Sequence, residues 1–188
     1  MKPVVFLDRD GTIIEEVGYL RHPEEVKLLP RVPEALRLLK EAGLALVVIT
    51  NQSGIARGYF DEETLARIHE RLKELLAEHG VELDGIYYCP HHPEEGCSCR
   101  KPKTDLAERA AKERGLDLKR AFVVGDRDVD VALGKNLGAT SVLVLTGYGR
   151  RDLSRLLHRE GKALACVTPD IVAEDLWQAA QKILSRLK

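Results

Sequence analysis

Pro3-Val4-Val5-Phe6-Leu7 runs directly into Asp8-Arg9-Asp10-Gly11-Thr12. An unbroken apolar run of this length reads as a strand buried on both faces, as strands of a parallel sheet are. Two carboxylates stand two residues apart where that strand ends. If the chain stays extended they project on one side, although Gly11 permits a sharp departure. Carboxylates this close repel unless something positive lies between them. A hard divalent cation is the natural resident, and Mg²⁺ accepts a few protein oxygens while keeping room for waters and a phosphate.

The same rhythm continues along the chain. A helix is expected from Pro33 to Ala42, a second buried strand over Leu44–Ile49 and a helix behind the acidic cap Asp61-Glu62-Glu63. Gly85-Ile86-Tyr87-Tyr88 reads as a short third strand. Thr104 or Asp105 starts a helix reaching Arg114, and Ala121–Val124 is the fourth strand, ending at Gly125-Asp126. A further helix through Asn136 leads to a fifth strand at Ser141–Leu145. An amphipathic helix within Pro169–Lys188 carries Ile171, Leu176, Trp177 and Ile183 on its apolar side. Strands alternating with helices predict an α/β fold, a doubly wound, Rossmann-like, mostly parallel sheet with helices on both faces. In such sheets ligands bind beyond the carboxyl ends of the strands, where the polar clusters fall. No repeat or linker divides the chain, so residues 1–188 are expected to form one domain.

Composition excludes several classes. Of 188 residues 44% are apolar and 31% charged, which suits a folded core rather than disorder. The net charge of −1, with no long basic block, argues against a duplex nucleic acid or an anionic membrane as partner. No apolar run is long enough to span a bilayer and the N-terminal apolar stretch is too short for a secretory signal. A cytoplasmic monomer is the expectation. Cys166 lies in an apolar stretch and is expected to be a buried thiol.

Cys89-Pro90-His91-His92-Pro93-Glu94-Glu95-Gly96-Cys97-Ser98-Cys99 is a second cluster. Three thiols and a histidine in so short a loop suggest Zn²⁺ rather than a cytosolic disulfide. Cys89, His91, Cys97 and Cys99 would make a closed tetrahedral set, which is the structural kind of zinc site. His92, next to His91, is left outside it.

Asp8-x-Asp10-Gly11-Thr12, Thr50-Asn51, Lys101 and Gly125-Asp126-x-x-x-Asp130 resemble, in order and in strand-end placement, the four motifs of the haloacid dehalogenase (HAD) superfamily of phosphatases. The resemblance covers nearly the whole chain and implies the members of subgroup III, which lack a cap domain. It implies Asp8 as nucleophile, Asp10 as general acid and base, Thr50 and Lys101 as holders of the phosphoryl group, and Asp8, Asp10 and Asp126 around Mg²⁺. Asp130 supports that site or caps the following helix.

The cysteine loop followed by Arg100-Lys101-Pro102 is similar to the zinc loop of heptose bisphosphate 7-phosphatases and of histidinol-phosphate phosphatases. Thr50-Asn51-Gln52-Ser53-Gly54-Ile55-Ala56-Arg57-Gly58 resembles the heptose group, whereas Pro102-Lys103 and Gly125-Asp126-Arg127 resemble the histidinol group. A small phosphorylated metabolite is thus the implied substrate, with Glu16, Tyr19, Asn51, Gln52, Ser53, Arg57, Arg100 and Arg127 as substrate-binding residues. The same Thr-Asn-Gln-x-Gly-Ile stretch is similar to DNA 3′-phosphatases. A non-enzymatic phosphate-receiving domain is the remaining alternative.

Overall fold

The computed structural model describes residues 1–158 and 167–187. Cys166 lies outside the described residues. Six parallel strands form one sheet: β1 (Lys2–Leu7), β2 (Ala45–Asn51), β3 (Gly85–Cys89), β4 (Leu116–Gly125), β5 (Thr140–Val144) and β6 (Ile171–Ala173). Their spatial order is β3-β2-β1-β4-β5-β6. From β1 the chain winds outward to β3, then returns beside β1 and winds the other way. The switch point therefore lies between β1 and β4, where a crevice opens past the strand ends.

The period-2 alternation of strand side chains explains why β1 is apolar at every position from Val4 to Leu7, which are buried on alternate faces. Val5 and Leu7 pack on one face with Leu46, Val48 and Val124, under α1 (Val32–Glu41), α2 (Glu62–Ala77) and α6 (Leu176–Arg186). Val4 and Phe6 pack on the other face with Val47, Ile49 and Val123, under α3 (Asp105–Arg114) and α4 (Asp128–Leu137). Each such fully buried aliphatic side chain contributes roughly 1.5–3 kcal/mol of transfer free energy. Among the described residues no insertion large enough to form a cap stands over the crevice. The segment between β1 and α1 is held down by the buried side chains of Ile13, Ile14, Leu20 and Val26 and by short bridges, Asp10 to Ile14 and Ile14 to Leu28.

The structure departs from the sequence reading in three places. The strand expected at Ala121–Val124 begins at Leu116, because Lys2 and Pro3 pair with Leu116 and Asp117 before a register shift at Pro3/Val4. A helix absent from the reading, α5 (Gly149–Leu157), follows β5. Ile171 does not sit on the terminal helix: Ile171, Val172 and Ala173 are the edge strand β6, paired with Val142, Leu143 and Val144. A three-residue strand is too short to show a period, so its apolar residues merge with those of the helix behind it. The helix starts at Leu176, where the Asp175 side chain accepts the backbone N–H of Gln178 at 2.8 Å.

Asp175→Ala is therefore expected to lower the free energy of unfolding by about 1 kcal/mol, the usual cost of losing an N-cap. Urea titration of the two proteins measures it, and an unchanged midpoint would place the helix start elsewhere.

Candidate active site

Asp8 follows β1 directly, with its backbone N–H bonded to the Val124 carbonyl of β4 at 2.9 Å. Its Oδ1 accepts from Lys101 Nζ at 2.8 Å. The Lys101 ammonium, 4% exposed, also donates to Asp130 Oδ1 at 2.7 Å and to the Ile49 carbonyl at 2.9 Å. Burial alone would push its pKa down. The charges of Asp130 and Asp8 outweigh burial, and the net shift is upward. Asn51 clamps the backbone of Lys101 from both sides, accepting its N–H at 3.0 Å and donating to its carbonyl at 3.4 Å.

Asp126, at the end of β4, is fully buried. Its Oδ2 accepts the Tyr148 N–H at 2.9 Å, while among the described residues its Oδ1 has no hydrogen-bond partner. Burial, then the charges of Asp8 and Asp130, push its carboxyl up to about 9. Asp130 rises to about 7, again through burial first and the charge of Asp8 second, with Lys101 opposing. Two glycines cradle Asp126: a Cβ at Gly11 (φ +81°) would lie 2.1 Å from its Oδ2, and one at Gly147 would lie 2.2 Å from it.

One carboxyl oxygen from each of Asp8, Asp126 and Asp130 lies within 4.8 Å of the others. At that spacing each like-charge pair costs roughly 3–4 kcal/mol at an effective dielectric near 20. With one ammonium among them, three ionised carboxylates would carry two uncompensated negative charges, and the raised pKa values of Asp126 and Asp130 register that cost. The partnerless Oδ1 of Asp126 marks where the compensating charge belongs. The donor set is all carboxylate oxygen, and it fits a hard divalent cation of the Mg²⁺ class.

The side-chain cluster holds Asp130 beside Asp8 and Asp126, and the Asp10 carboxylate stands apart from it. The Asp10 carboxylate is taken instead by Arg9, through Nε at 3.1 Å and Nη2 at 3.0 Å, and by Gln52 Nε2 at 3.1 Å. Gln52 Nε2 also donates to Thr50 Oγ1 at 2.7 Å, which links the end of β2 to Asp10.

These groups floor a cleft of about 340 Å³, lined by every residue expected to touch substrate. Glu16 accepts the Gly18 N–H at 2.8 Å, and burial, followed by the charge of Asp10, raises its pKa. Tyr19 stands edge-on to Tyr59, ring centroids 4.8 Å apart, with the Arg57 guanidinium 5.7 Å from the Tyr19 ring. Asn51, Gln52 and Ser53 carry the wall beyond β2. Arg100 brings a buried Nη1 with no partner among the described residues. Arg127 Nε donates to the buried Asp152 of α5 at 3.3 Å, and its guanidinium lies 5.1 Å from the Tyr148 ring. Val129 and Tyr148 also line the cleft and were missed in the sequence. The signal for Tyr148 was its place after β5, since ligand contacts come from strand ends.

Beside the cleft, donor atoms of Cys89, His91, Cys97 and Cys99 lie within 4.8 Å of one another. Cys99 Sγ is 2.8 Å from Cys89 Sγ and 3.2 Å from His91 Nδ1, and Cys97 Sγ is 3.5 Å from Cys89 Sγ. Burial pushes the Cys89 thiol up. Burial also acts against ionisation of Cys97, but hydrogen bonds from Cys89 and from the Arg100 backbone bring it down to about 7. Three thiols and one imidazole nitrogen facing a common centre fit a closed zinc set. His92 lies outside it, its Nδ1 accepting the Glu94 N–H at 3.2 Å to cap a short turn.

Residues 3–137 match the family described as polynucleotide kinase 3 phosphatase, and residues 98–179 match the HAD-hydrolase-like family. A D-glycero-D-manno-heptose-1,7-bisphosphate 7-phosphatase of Thermosynechococcus vestitus is 40% identical over 99% of this chain and 97% of its own. A D-glycero-beta-D-manno-heptose-1,7-bisphosphate 7-phosphatase of Haemophilus influenzae is 41% identical over the full length of both. The crystal structure of the D,D-heptose 1,7-bisphosphate phosphatase of B. bronchiseptica, complexed with magnesium and phosphate, superposes with a TM-score of 0.85. It is 36% identical, over 99% of each chain.

Lys101→Met removes the one cation shared by Asp8 and Asp130, leaving buried carboxylates uncompensated. The expected loss of stability at neutral pH in metal-free buffer is about 3–5 kcal/mol, read from chemical denaturation. A loss below about 1 kcal/mol would show that the acids are neutralised without it.

Proposed function

The chain belongs to the HAD-like phosphatases, in the family of the heptose bisphosphate 7-phosphatases, and from that membership we propose that it removes the 7-phosphate of D-glycero-D-manno-heptose 1,7-bisphosphate. The observation that carries the reading is the cleft itself. One end holds the Asp8 carboxylate beside a buried ammonium, and its walls bring Arg57, Arg100 and Arg127, suited to a second anionic group. A substrate with phosphates at both ends matches that division.

Asp8 attacks phosphorus in line with the sugar oxygen and forms an aspartyl-phosphate. Asp10 gives a proton to the departing alkoxide, then takes one from the water that hydrolyses the intermediate. Thr50 Oγ1 and Lys101 Nζ hold the phosphoryl oxygens, with charge stabilisation aimed at the transition state. Gln52, bonded to both Thr50 and Asp10, keeps those two groups in register. Asp8, Asp10 and Asp126, with Asp130 behind them, would hold Mg²⁺, which would supply positive charge against the phosphoryl oxygens. Cys89, His91, Cys97 and Cys99 would hold Zn²⁺ in a structural role, fixing the loop that presents Arg100 and Lys101. Residues 1–188 act as one phosphatase domain, a cytoplasmic monomer. Among the described residues no helix is long and apolar enough to cross a membrane.

A DNA 3′-phosphatase is the second reading, favoured by the match over residues 3–137. The near-zero net charge weighs against it, because binding a phosphate backbone rests on clustered cations.

Phosphate release with Mg²⁺ from heptose 1,7-bisphosphate, histidinol phosphate and a 3′-phosphorylated oligonucleotide tests the assignment. The heptose is expected to be the preferred substrate, and preference for either of the others reassigns the enzyme. Asp8→Asn is expected to lower turnover by more than about a thousandfold while the protein stays folded; an active variant would remove the nucleophile. Purified protein is expected to carry one zinc per chain, with Cys97→Ser losing both the metal and thermal stability.

A further inference from the structure

Arg9, between the two motif acids, is the largest side chain among those fully buried, at 1% exposure. A guanidinium out of water is tolerated only where its N–H groups find acceptors. Two face Asp10: Nε to Oδ2 at 3.1 Å and Nη2 to Oδ1 at 3.0 Å. The third direction, Nη1, points at Nε2 of His69 at 3.1 Å. His69 is 7% exposed and lies within α2, sixty residues from Arg9.

Arginine has donors and no acceptor, so His69 Nε2 must be the acceptor. That requires the neutral ring, with its proton on Nδ1. The other charged or titratable groups around the imidazole are consistent with neutrality. Lys73 follows one turn on in α2, and Tyr88 of β3 has its ring 6.2 Å away, its hydroxyl donating to Glu62. Among the described residues no carboxylate pairs with His69. Burial, then the Arg9 charge, puts its pKa near 3.

We infer that His69 is a positioning residue for the acid–base step: by accepting from Arg9 Nη1 it fixes the guanidinium plane whose other two N–H groups orient the Asp10 carboxyl. The inference rests on the role given to Asp10 above. As the bond between phosphorus and the leaving oxygen breaks and that to Asp8 forms, the Asp10 proton passes to the leaving oxygen. The carboxylate left behind is held by the Arg9 fork. Without His69 the fork loses its third anchor, and Nη1 lies buried without a partner. A histidine that only filled space in α2 would leave this step untouched when replaced.

Leaving groups separate the two cases. A sugar alkoxide needs a proton to depart, whereas the nitrophenolate of p-nitrophenyl phosphate does not. The experiment compares kcat/KM of the full-length protein on both esters, the sugar phosphate being the one that the unaltered enzyme hydrolyses fastest. His69→Leu is expected to lose about tenfold or more on the sugar phosphate and less than about threefold on the aryl phosphate, with KM little changed. His69→Gln, whose amide oxygen reaches the Nε2 position, is expected to restore most of the loss. If His69→Leu melts below the assay temperature, the comparison of His69→Gln with the shorter His69→Asn takes its place. Equal losses on the two esters, or no recovery with Gln, overturn the inference. Asp10→Asn is the control: should it retain the sugar phosphate rate, the acid–base role of Asp10 fails instead, independently of His69.

Discussion

Three carboxylates share one buried ammonium. Asp8, Asp126 and Asp130 come together at the carboxyl ends of β1 and β4, and Lys101 Nζ is bonded to two of them. A pair of like charges at this spacing costs several kilocalories per mole. Packing on both faces of the sheet buries Asp126 and Asp130, while Asp8 and Lys101 line the cleft. The parallel sheet brings β1 and β4 side by side at the switch point, and Gly11 and Gly147 close around Asp126 with no room for a side chain. A divalent cation bound here would relieve the repulsion that raises the Asp126 and Asp130 pKa values and would favour their ionised forms.

Lys101 comes from outside the sheet, so its placement needs devices of its own. Asn51, the last residue of β2, clamps its backbone, and the Ile49 carbonyl takes its third hydrogen bond. Two residues upstream, Cys99 belongs to the Cys/His cluster, and Lys103 Nζ donates to the Cys97 carbonyl just beyond. The loop is thus tethered on both sides of the lysine. An ordinary surface loop fluctuates by more than the tolerance of a phosphoryl-transfer site, and such a tether removes that freedom.

Much of the fold was legible because its strands are buried on both faces, so continuous apolar runs announce them, and because helix ends carry caps such as Asp61 and Gly115. The elements that escaped were short. β6 has three residues, and α5 carries charged side chains at four of its nine positions, among them the wholly buried Asp152. For the cleft, residue types at strand ends marked Asp8, Asp10 and Asp126, the family resemblance added Thr50 and Lys101, and the structure brings them to one place. His69 was invisible, since a histidine inside an amphipathic helix has no local mark distinguishing it from core.

The sequence by itself determined the parallel α/β architecture, the strand ends where acids gather and the four thiol and imidazole donors of one loop. Each of these follows from local pattern: apolar periodicity, strand boundaries and short spacing. Only the tertiary structure decided which acids share the buried cluster. Asp10 is two residues from Asp8, yet its side chain turns to Arg9 and Gln52, while Asp130, more than a hundred residues away, meets Lys101. Proximity along the chain sets which backbone positions are neighbours, but side-chain direction and long-range packing set which charges meet, and those exist only once the sheet has closed.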